Sequence, residues 1–358
     1  METLTLLQKL IQISSFSGEE KKLARFIMDF CGKSNLPSEI IDGNVIIRFT
    51  GKNPQKALIF NAHMDTVVGL ELSGKFVDGK VLGLGASDDK GAIASMLSVA
   101  KFFTKETSPL DLWFVFVTCE ETDGTGSKNF LNWFKKNGYL NKYKNIGAII
   151  GEPTGLKNIE IGHRGNAFIR LKSVGITGHG AKSYSSNDLA VSKMLTALTD
   201  LGSVFPKWAE KYSDKTLGIP TMNITSINAS ADSVNKIPDE CTVNLDIRTT
   251  PKLHNIIGKL LKNELGEKVS VSKLGEFFPP KIAGKNSRMI KICLKVLGDC
   301  SFSVALGTTD LGQFLDFGID AVVLGPGQKS VIHKDNEYIE LSQIEKAITL
   351  YKKIINLW

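Results

Sequence analysis

The sequence predicts an α/β protein: a main domain on a mostly parallel sheet, into which a ferredoxin-like α+β domain is inserted. Three observations predict it. Strand-like and helix-like segments alternate on both sides of residues 167–275, which in an α/β chain implies a largely parallel sheet. Within 167–275 the order is strand, helix, strand, strand, helix, strand, the pattern of a two-layer unit that can fold on its own sheet. After Pro279 and Pro280 the first texture returns. The expected domains are therefore 1–166 together with 276–358, and 167–275 as the insertion.

Residues 3–12 and 18–32 are expected to be helices. Leu23, Phe26, Ile27 and Phe30 recur at helical spacing in the second, and Ser17 with Glu19 and Glu20 suits its start. Short runs rich in β-branched or aromatic residues at 44–48 and 57–61 predict strands, the latter leading into His63-Met64-Asp65. A loop with Gly83, Gly85 and Asp88 precedes a helix at 92–103, with Ser87 or Asp88 placed as its cap. The apolar run 112–117 predicts a buried strand ending in Thr118-Cys119-Glu120-Glu121. A helix at 127–136 stops at Gly138, and a third apolar strand at 148–150 ends in Gly151-Glu152-Pro153-Thr154. The insertion has strands at 167–174, 221–228, 240–248 and 268–273 and helices at 187–201 and 253–265. Cys241, Val243, Leu245 and Ile247 alternate cleanly in the third strand. The chain finishes with a helix at 287–296, a strand at 321–324, Gly325-Pro326-Gly327, His333, Glu337 and an amphipathic helix at 342–357.

A hydrophobic content of 42% and a charged content of 23% exclude a disordered chain. Lys and Arg outnumber Asp and Glu by 44 to 37. The excess is spread along the chain without a basic block or aromatic–basic interleaving, so no nucleic-acid partner is expected. A modest positive field that attracts a small carboxylate is compatible with it. The five cysteines, Cys31, Cys119, Cys241, Cys293 and Cys300, are far apart and form no C-x-x-C pair. Neither a disulfide framework nor a thiolate metal site is indicated, and reduced thiols in a cytoplasm are expected. Met1-Glu2-Thr3-Leu4 leads into a helical pattern without a basic or apolar leader, and no apolar run is long enough to span a bilayer. A soluble cytoplasmic protein with no membrane partner is the expectation.

An apolar strand delivering His-x-Asp at its carboxyl end is a weak metal signal alone, since a single such histidine is more often a hydrogen-bonded core or loop residue. Convergence strengthens it. The apolar strands end in His63, in Glu120 and Glu121, in Glu152 and, one loop later, in His333, and the carboxyl ends of parallel strands form one crevice. Asp88 adds a further group from a loop that opens a helix. Imidazoles and carboxylates without a thiolate suit zinc, cobalt or manganese. So many ligands exceed the need of one tetrahedral ion, and a carboxylate shared by two ions about 3.5–4 Å apart would use them all. Adjacent glutamates beyond a strand point different ways, so one can ligate while the other faces substrate as a general base. The plain alternative is a pair of surface loop glutamates. A phosphate loop at Gly83-x-Gly85 is rejected, because Asp88 stands where the third glycine of such a loop belongs, an anion at the helix start that would receive phosphate.

The ordered set His63-x-Asp65, Gly85-Ala86-Ser87-Asp88-x-Lys90-Gly91, Glu120-Glu121, Gly151-Glu152-Pro153-Thr154 and Gly325-Pro326-Gly327 with His333 and Glu337 resembles a family of co-catalytic zinc hydrolases. That family includes acetylornithine deacetylase, succinyl-diaminopimelate desuccinylase, aminoacylase and glutamate carboxypeptidase, and the resemblance spans the whole chain. It implies two Zn2+ ions, replaceable by Co2+ or Mn2+, bridged by Asp88. His63 and Glu152 would complete one site, Glu121 and His333 the other, with Glu120 as general base and Asp65 orienting His63. The insertion is similar to the family's lid and dimerisation domain, which implies a homodimer. By the same resemblance His179 helps stabilise the oxyanion at the partner subunit's site, and Asn235 and Arg248 contact substrate, Arg248 through its carboxylate. Gly307 and Thr308 lie in a segment resembling the family's Gly-Thr-Ser-Asp and are expected to contact substrate. Without the resemblance, His179 reads as a loop residue and Arg248 as a solvated strand end. Two departures stand out: Cys119 replaces the usual aspartate before the glutamate pair, and Leu311-Gly312-Gln313-Phe314 replaces the usual arginine–phenylalanine.

The implied reaction is hydrolysis of the amide bond of an N-acyl amino acid, with N-acetylornithine or a related basic amino-acid precursor as substrate and the succinyl-diaminopimelate reaction close to it. A zinc exopeptidase acting on short peptides is the alternative within the class. A binding protein on the same fold with its chemistry lost is the alternative outside it.

Overall fold

The computed structural model describes residues 2–69 and 72–358; Met1, the first residue of the expected leaderless start, lies outside them. Two compact units form. One comprises the chain up to Ile161 with Ile282–Ser303 and Thr309–Trp358; the other comprises Gly162–Lys281 with Val304–Thr308. These boundaries differ from 166/167 and 275/276 for a local reason. Gly165 already pairs with Thr249 across the second unit's sheet, and Asn166 exchanges hydrogen bonds with Phe278. Gly307 and Thr308, expected in the main domain, fall in the second unit, where the neighbouring Ala305 carbonyl accepts from the Arg164 N–H.

Among the described residues the main sheet has nine strands and continues antiparallel with Asn158–His163 beyond Asp320–Gly325; its first six strands, in order, are Ser38–Ile41, Asn44–Phe49, Leu110–Val117, Asn53–His63, Asn145–Pro153 and Asp320–Gly325. The last four of these six are mutually parallel, and the first two are antiparallel additions. Parallel strands buried on both faces read as continuous apolar runs, and every residue of Leu110–Val117 is buried. Alternation sorts them. Leu58, Phe60, Ala62, Phe114 and Phe116 pack into a core with the helices Thr3–Gln12, Lys21–Lys33, Gly91–Phe102 and Leu341–Leu357. Ile59, Trp113, Val115 and Val117 face Phe130 and Phe134 of the helix Thr125–Lys136. Helices on both faces leave the carboxyl edge of the parallel strands as the open crevice.

Three local expectations are corrected. The second helix starts at Lys21, because Ser17 Oγ donates to Asp65 and Glu20 Oε1 accepts from Gly18 and Cys119 instead of forming a helix start. Neither Ser87 nor Asp88 caps Gly91–Phe102, whose N-cap is Lys90. Ser87 Oγ donates to the Tyr338 carbonyl, and Asp88 is extended at φ −127°, which leaves its carboxylate for other work. The helix expected at 187–201 spans Ala190–Lys211 and continues through Pro206, because the buried stripe Met194, Ala197, Leu201 continues to Phe205 and Ala209 and outweighs the one backbone bond that proline removes.

The second unit's sheet has the order Thr221–Asn228, Glu240–Thr249, Gly165–Val174, Ser270–Lys273, all antiparallel. This is the ferredoxin-like arrangement, with its own core on the inner residues Cys241, Val243, Leu245 and Ile247. No helix among the described residues is long and apolar enough to cross a membrane.

Candidate metal centre

His63 is the last residue of its strand and is almost wholly buried. Its Nδ1 lies 2.9 Å from the main-chain oxygen of Asp65 and 3.5 Å from that residue's Oδ1. A carbonyl only accepts, so Nδ1 carries the hydrogen and Nε2 is left facing Asp88 Oδ1 at 2.9 Å and Glu152 Oε1 at 3.7 Å. The other oxygen of Asp88, Oδ2, lies 3.2 Å from His333 Nε2, which also stands 2.9 Å from Glu121 Oε1. Asp88 thus presents one oxygen to each imidazole. The structure brings His63, Asp88, Glu121, Glu152 and His333 together on the first unit, and a ligand atom of Glu120 lies within 4.8 Å of those of His63 and Glu152.

Asp65 does more than aim the histidine. Its fully buried carboxylate accepts from Glu120 N–H on Oδ1 and from Glu121 N–H on Oδ2, each at 3.0 Å, and from Ser17 Oγ at 2.7 Å. The side chain therefore sets where both glutamates leave the strand, while its main chain fixes the imidazole tautomer.

Residues that the sequence did not single out hold the same loops. Buried Asn44 accepts from Thr118 N–H and donates to the Gly126 carbonyl, closing the base of the glutamate loop. Glu20 accepts from Cys119 N–H at 3.0 Å, and the Cys119 thiol stands 3.6 Å from the same oxygen. Burial and then the Glu20 charge push that thiol up, so it stays protonated and donates, where an aspartate would repel. Glu337, quoted above without a role, accepts from the N–H groups of Gly85, Ser87 and Asp88 at 3.0, 2.7 and 3.0 Å. No periodicity or motif signals Asn44, and Glu20 reads only as part of a helix start; each takes its meaning from a partner far away in the chain. Cys119 and His333 both adopt left-handed backbone, at φ +57° and +58°, a conformation that ordinary residues keep only where surroundings enforce it.

The electrostatics ask for a cation. Burial alone would lower the His63 pKa, but the Asp65 and Asp88 carboxylates carry it well above its usual value. His333 is raised to about 10 by Asp88 and Glu121. Burial would raise Asp88, yet His333 and His63 hold it well below the usual carboxylate range. Glu152 is pushed up to about 8 by burial and the Asp88 charge, and Glu120 well above its usual value by burial and the Glu152 charge. Asp89, with neither carboxylate oxygen hydrogen-bonded among the described residues, is raised by burial as well. Such a concentration of negative charge persists only with a proton or a metal between the groups. The donor separations, 2.9 to 3.7 Å, bracket the roughly 3.3–3.6 Å expected for two N or O ligands about 2.0–2.2 Å from one tetrahedral zinc. The residues present fit a metal.

The remaining expected residues lie on the second unit. His179 and Asn235 meet there, with Nε2 and Nδ2 3.2 Å apart. Arg248 is clasped by Asp246 at 2.8 Å, and a methyl built on Gly307 would stand 3.7 Å from its Nη1.

The profile of Peptidase family M20/M25/M40 matches residues 59–357. An acetylornithine deacetylase of Buchnera aphidicola subsp. Acyrthosiphon pisum (strain Tuc7) is 29% identical over 289 residues, 77% of this chain and 72% of that one. A succinyl-diaminopimelate desuccinylase of Corynebacterium glutamicum is 26% identical over 370 residues, 99% and 96% of the two chains. Among solved structures, a tripeptidase from Staphylococcus aureus subsp. aureus Mu50 has the same fold, with a TM-score of 0.79 at 21% identity over 99% of this chain and 97% of that one.

Proposed function

Because this chain belongs to peptidase family M20/M25/M40 and is a hydrolytic enzyme, we propose that it is a two-metal amidohydrolase that releases the acyl group of an N-acyl amino acid, N-acetylornithine or a related basic precursor first among them. The observation that carries the reading is Asp88, with one carboxylate oxygen turned to each of two imidazoles. His63 and Glu152 would hold one ion, Glu121 and His333 the other, and Asp88 both. Zinc bound there, or cobalt or manganese in its place, would supply Lewis-acid stabilisation of the developing oxyanion and acidify water.

The remaining work belongs to the chain. Glu120, whose carboxyl is raised above its usual value by burial and by the Glu152 charge, would take a proton from water and return it to the leaving amine. Asp65 holds the backbone of that base. On this reading His179 stabilises the oxyanion, and Asn235, Arg248, Gly307 and Thr308 contact substrate. Support for these roles is internal to the second unit: His179 and Asn235 are paired, and Arg248 is held by Asp246 beside Gly307.

A homodimer formed through the second unit belongs to the same proposal. It is supported by the edge strand Thr221–Asn228, whose Ile224 and Ile227 are exposed, the kind of unpaired edge that another chain can cover. A cytoplasmic site of action is supported by five free cysteines.

The test is a substrate panel of acetylated and succinylated amino acids and short peptides, assayed with zinc, cobalt or manganese. Acyl amino acids should turn over, and Glu120→Gln should lose on the order of a hundredfold or more in kcat while binding metal like the wild type. Preferential peptide cleavage would move the assignment to an exopeptidase. No turnover of any member would return the fold to a binding role, and a fully active Glu120→Gln protein would remove the base assignment.

A further inference from the structure

The loop from Thr118 to Gly126 carries Glu120 and Glu121, and its base is closed by Asn44. Its apex is held differently. The Gly124 N–H donates to the Cys119 carbonyl at 2.7 Å, and Gln313 Nε2 donates to the Gly124 carbonyl at 2.9 Å and to Asp310 Oδ1 at 3.3 Å. Both partners are acceptors, so the amide must present its NH2 end. Asp310 is buried, and its other oxygen accepts from Ser127 Oγ at 2.6 Å. Ser127 Oγ in turn accepts from Asn61 Nδ2 at 3.1 Å, and Asn61 is two residues before His63 on the same strand. A chain of hydrogen bonds therefore runs from the His63 strand, through Ser127 and Asp310, to Gln313 and the far side of the glutamate loop. Space is reserved for it: Gly124 has φ +64°, and a methyl there would lie 2.4 Å from Gln313 Nε2.

We propose that Asp310 and Gln313 are positioning residues that clamp the apex of the glutamate loop at Gly124 and so fix Glu120 relative to the His63 strand. The inference rests on the reading of Glu120 as the general base. Thr122 and Asp123 are exposed, whereas Gly124, the N-cap of the helix Thr125–Lys136, is buried, so the Gln313 donor ties the buried end of the loop to the helix Leu311–Asp316. The clamp also gives a use to the segment in which this chain departs from the arginine–phenylalanine pattern.

Gln313→Met keeps length and volume but removes the donor; Gln313→Lys restores a donor facing the same two acceptors. For Gln313→Met, kcat should fall by roughly ten- to a hundredfold, as expected for a misplaced catalytic group, with KM, bound metal and melting temperature unchanged. Hydrogen exchange should quicken within residues 119–126 and nowhere else, and Gln313→Lys should recover both readouts. Unchanged kcat and exchange in Gln313→Met would overturn the clamp. So would a loss of activity that merely follows a lowered melting temperature, with no exchange change confined to the loop. If the wild type hydrolyses nothing on the panel, the proposed function fails, and the exchange measurement still decides whether Gln313 holds the loop.

Discussion

At the residue scale, Glu337 shows how the loop that carries Asp88 is held in place. Three backbone N–H groups, those of Gly85, Ser87 and Asp88, end on its carboxylate. Burial raises this group to about 7 in spite of those bonds. Glu337→Gln is near in size but turns an NH2 toward N–H donors, so the Asp88 loop should lose its template. We expect metal affinity to fall about ten- to a hundredfold, the usual cost of losing a supporting partner, as measured by chelator competition on folded protein. Unchanged affinity would show that the loop holds itself. His63, Glu120, Glu121 and Glu152 were legible in the sequence because each follows an apolar run, so strand-end convergence could be argued from order alone. Asn44 was not, and Glu20 and Asp310 were read only as part of a helix start and of a substrate-segment resemblance, because a lone polar residue carries no mark of the distant partner it will meet.

At the element scale, the strands and the β-α-β-β-α-β order could be read because alternation and apolar runs are local properties. Helix starts were misread where a polar side chain found a better tertiary partner, as Ser17 did in Asp65 and Ser87 in Tyr338. The Thr221–Asn228 strand makes a sharper claim. It lies at one edge of the second unit's sheet, with Ile227 more than half exposed, and a lysine on an edge strand is a standard obstacle to edge pairing. Ile227→Lys should convert a dimer to a monomer by light scattering without lowering the unit's own stability. A wild-type protein that is monomeric at high concentration would refute the edge as an interface.

At the scale of the whole molecule, each unit has its own core, and all the candidate ligands lie in the first. His333 and Glu152 are raised from 6.5 and 4.5 to about 10 and about 8. A group whose folded value is raised adds stability that is complete below its unfolded value and is lost as pH climbs through the folded one. The metal-free first unit should therefore melt progressively lower as pH is raised from about 6 to about 9. Added zinc should reverse this trend, because the ion takes the protons' place. The second unit, followed through Trp208, should show neither effect; a melt that shifts there in parallel would mean the two units unfold as one.

Asp88 gives such loading a further property. With one oxygen turned to each imidazole, Asp88 would be shared if both proposed sites fill, and the two occupancies would then form one coupled equilibrium. Whatever factor the first ion applies to the affinity of the second must be returned unchanged in the opposite direction. A titration that loads one site before the other would thus measure, in a single curve, the coupling carried by one shared side chain.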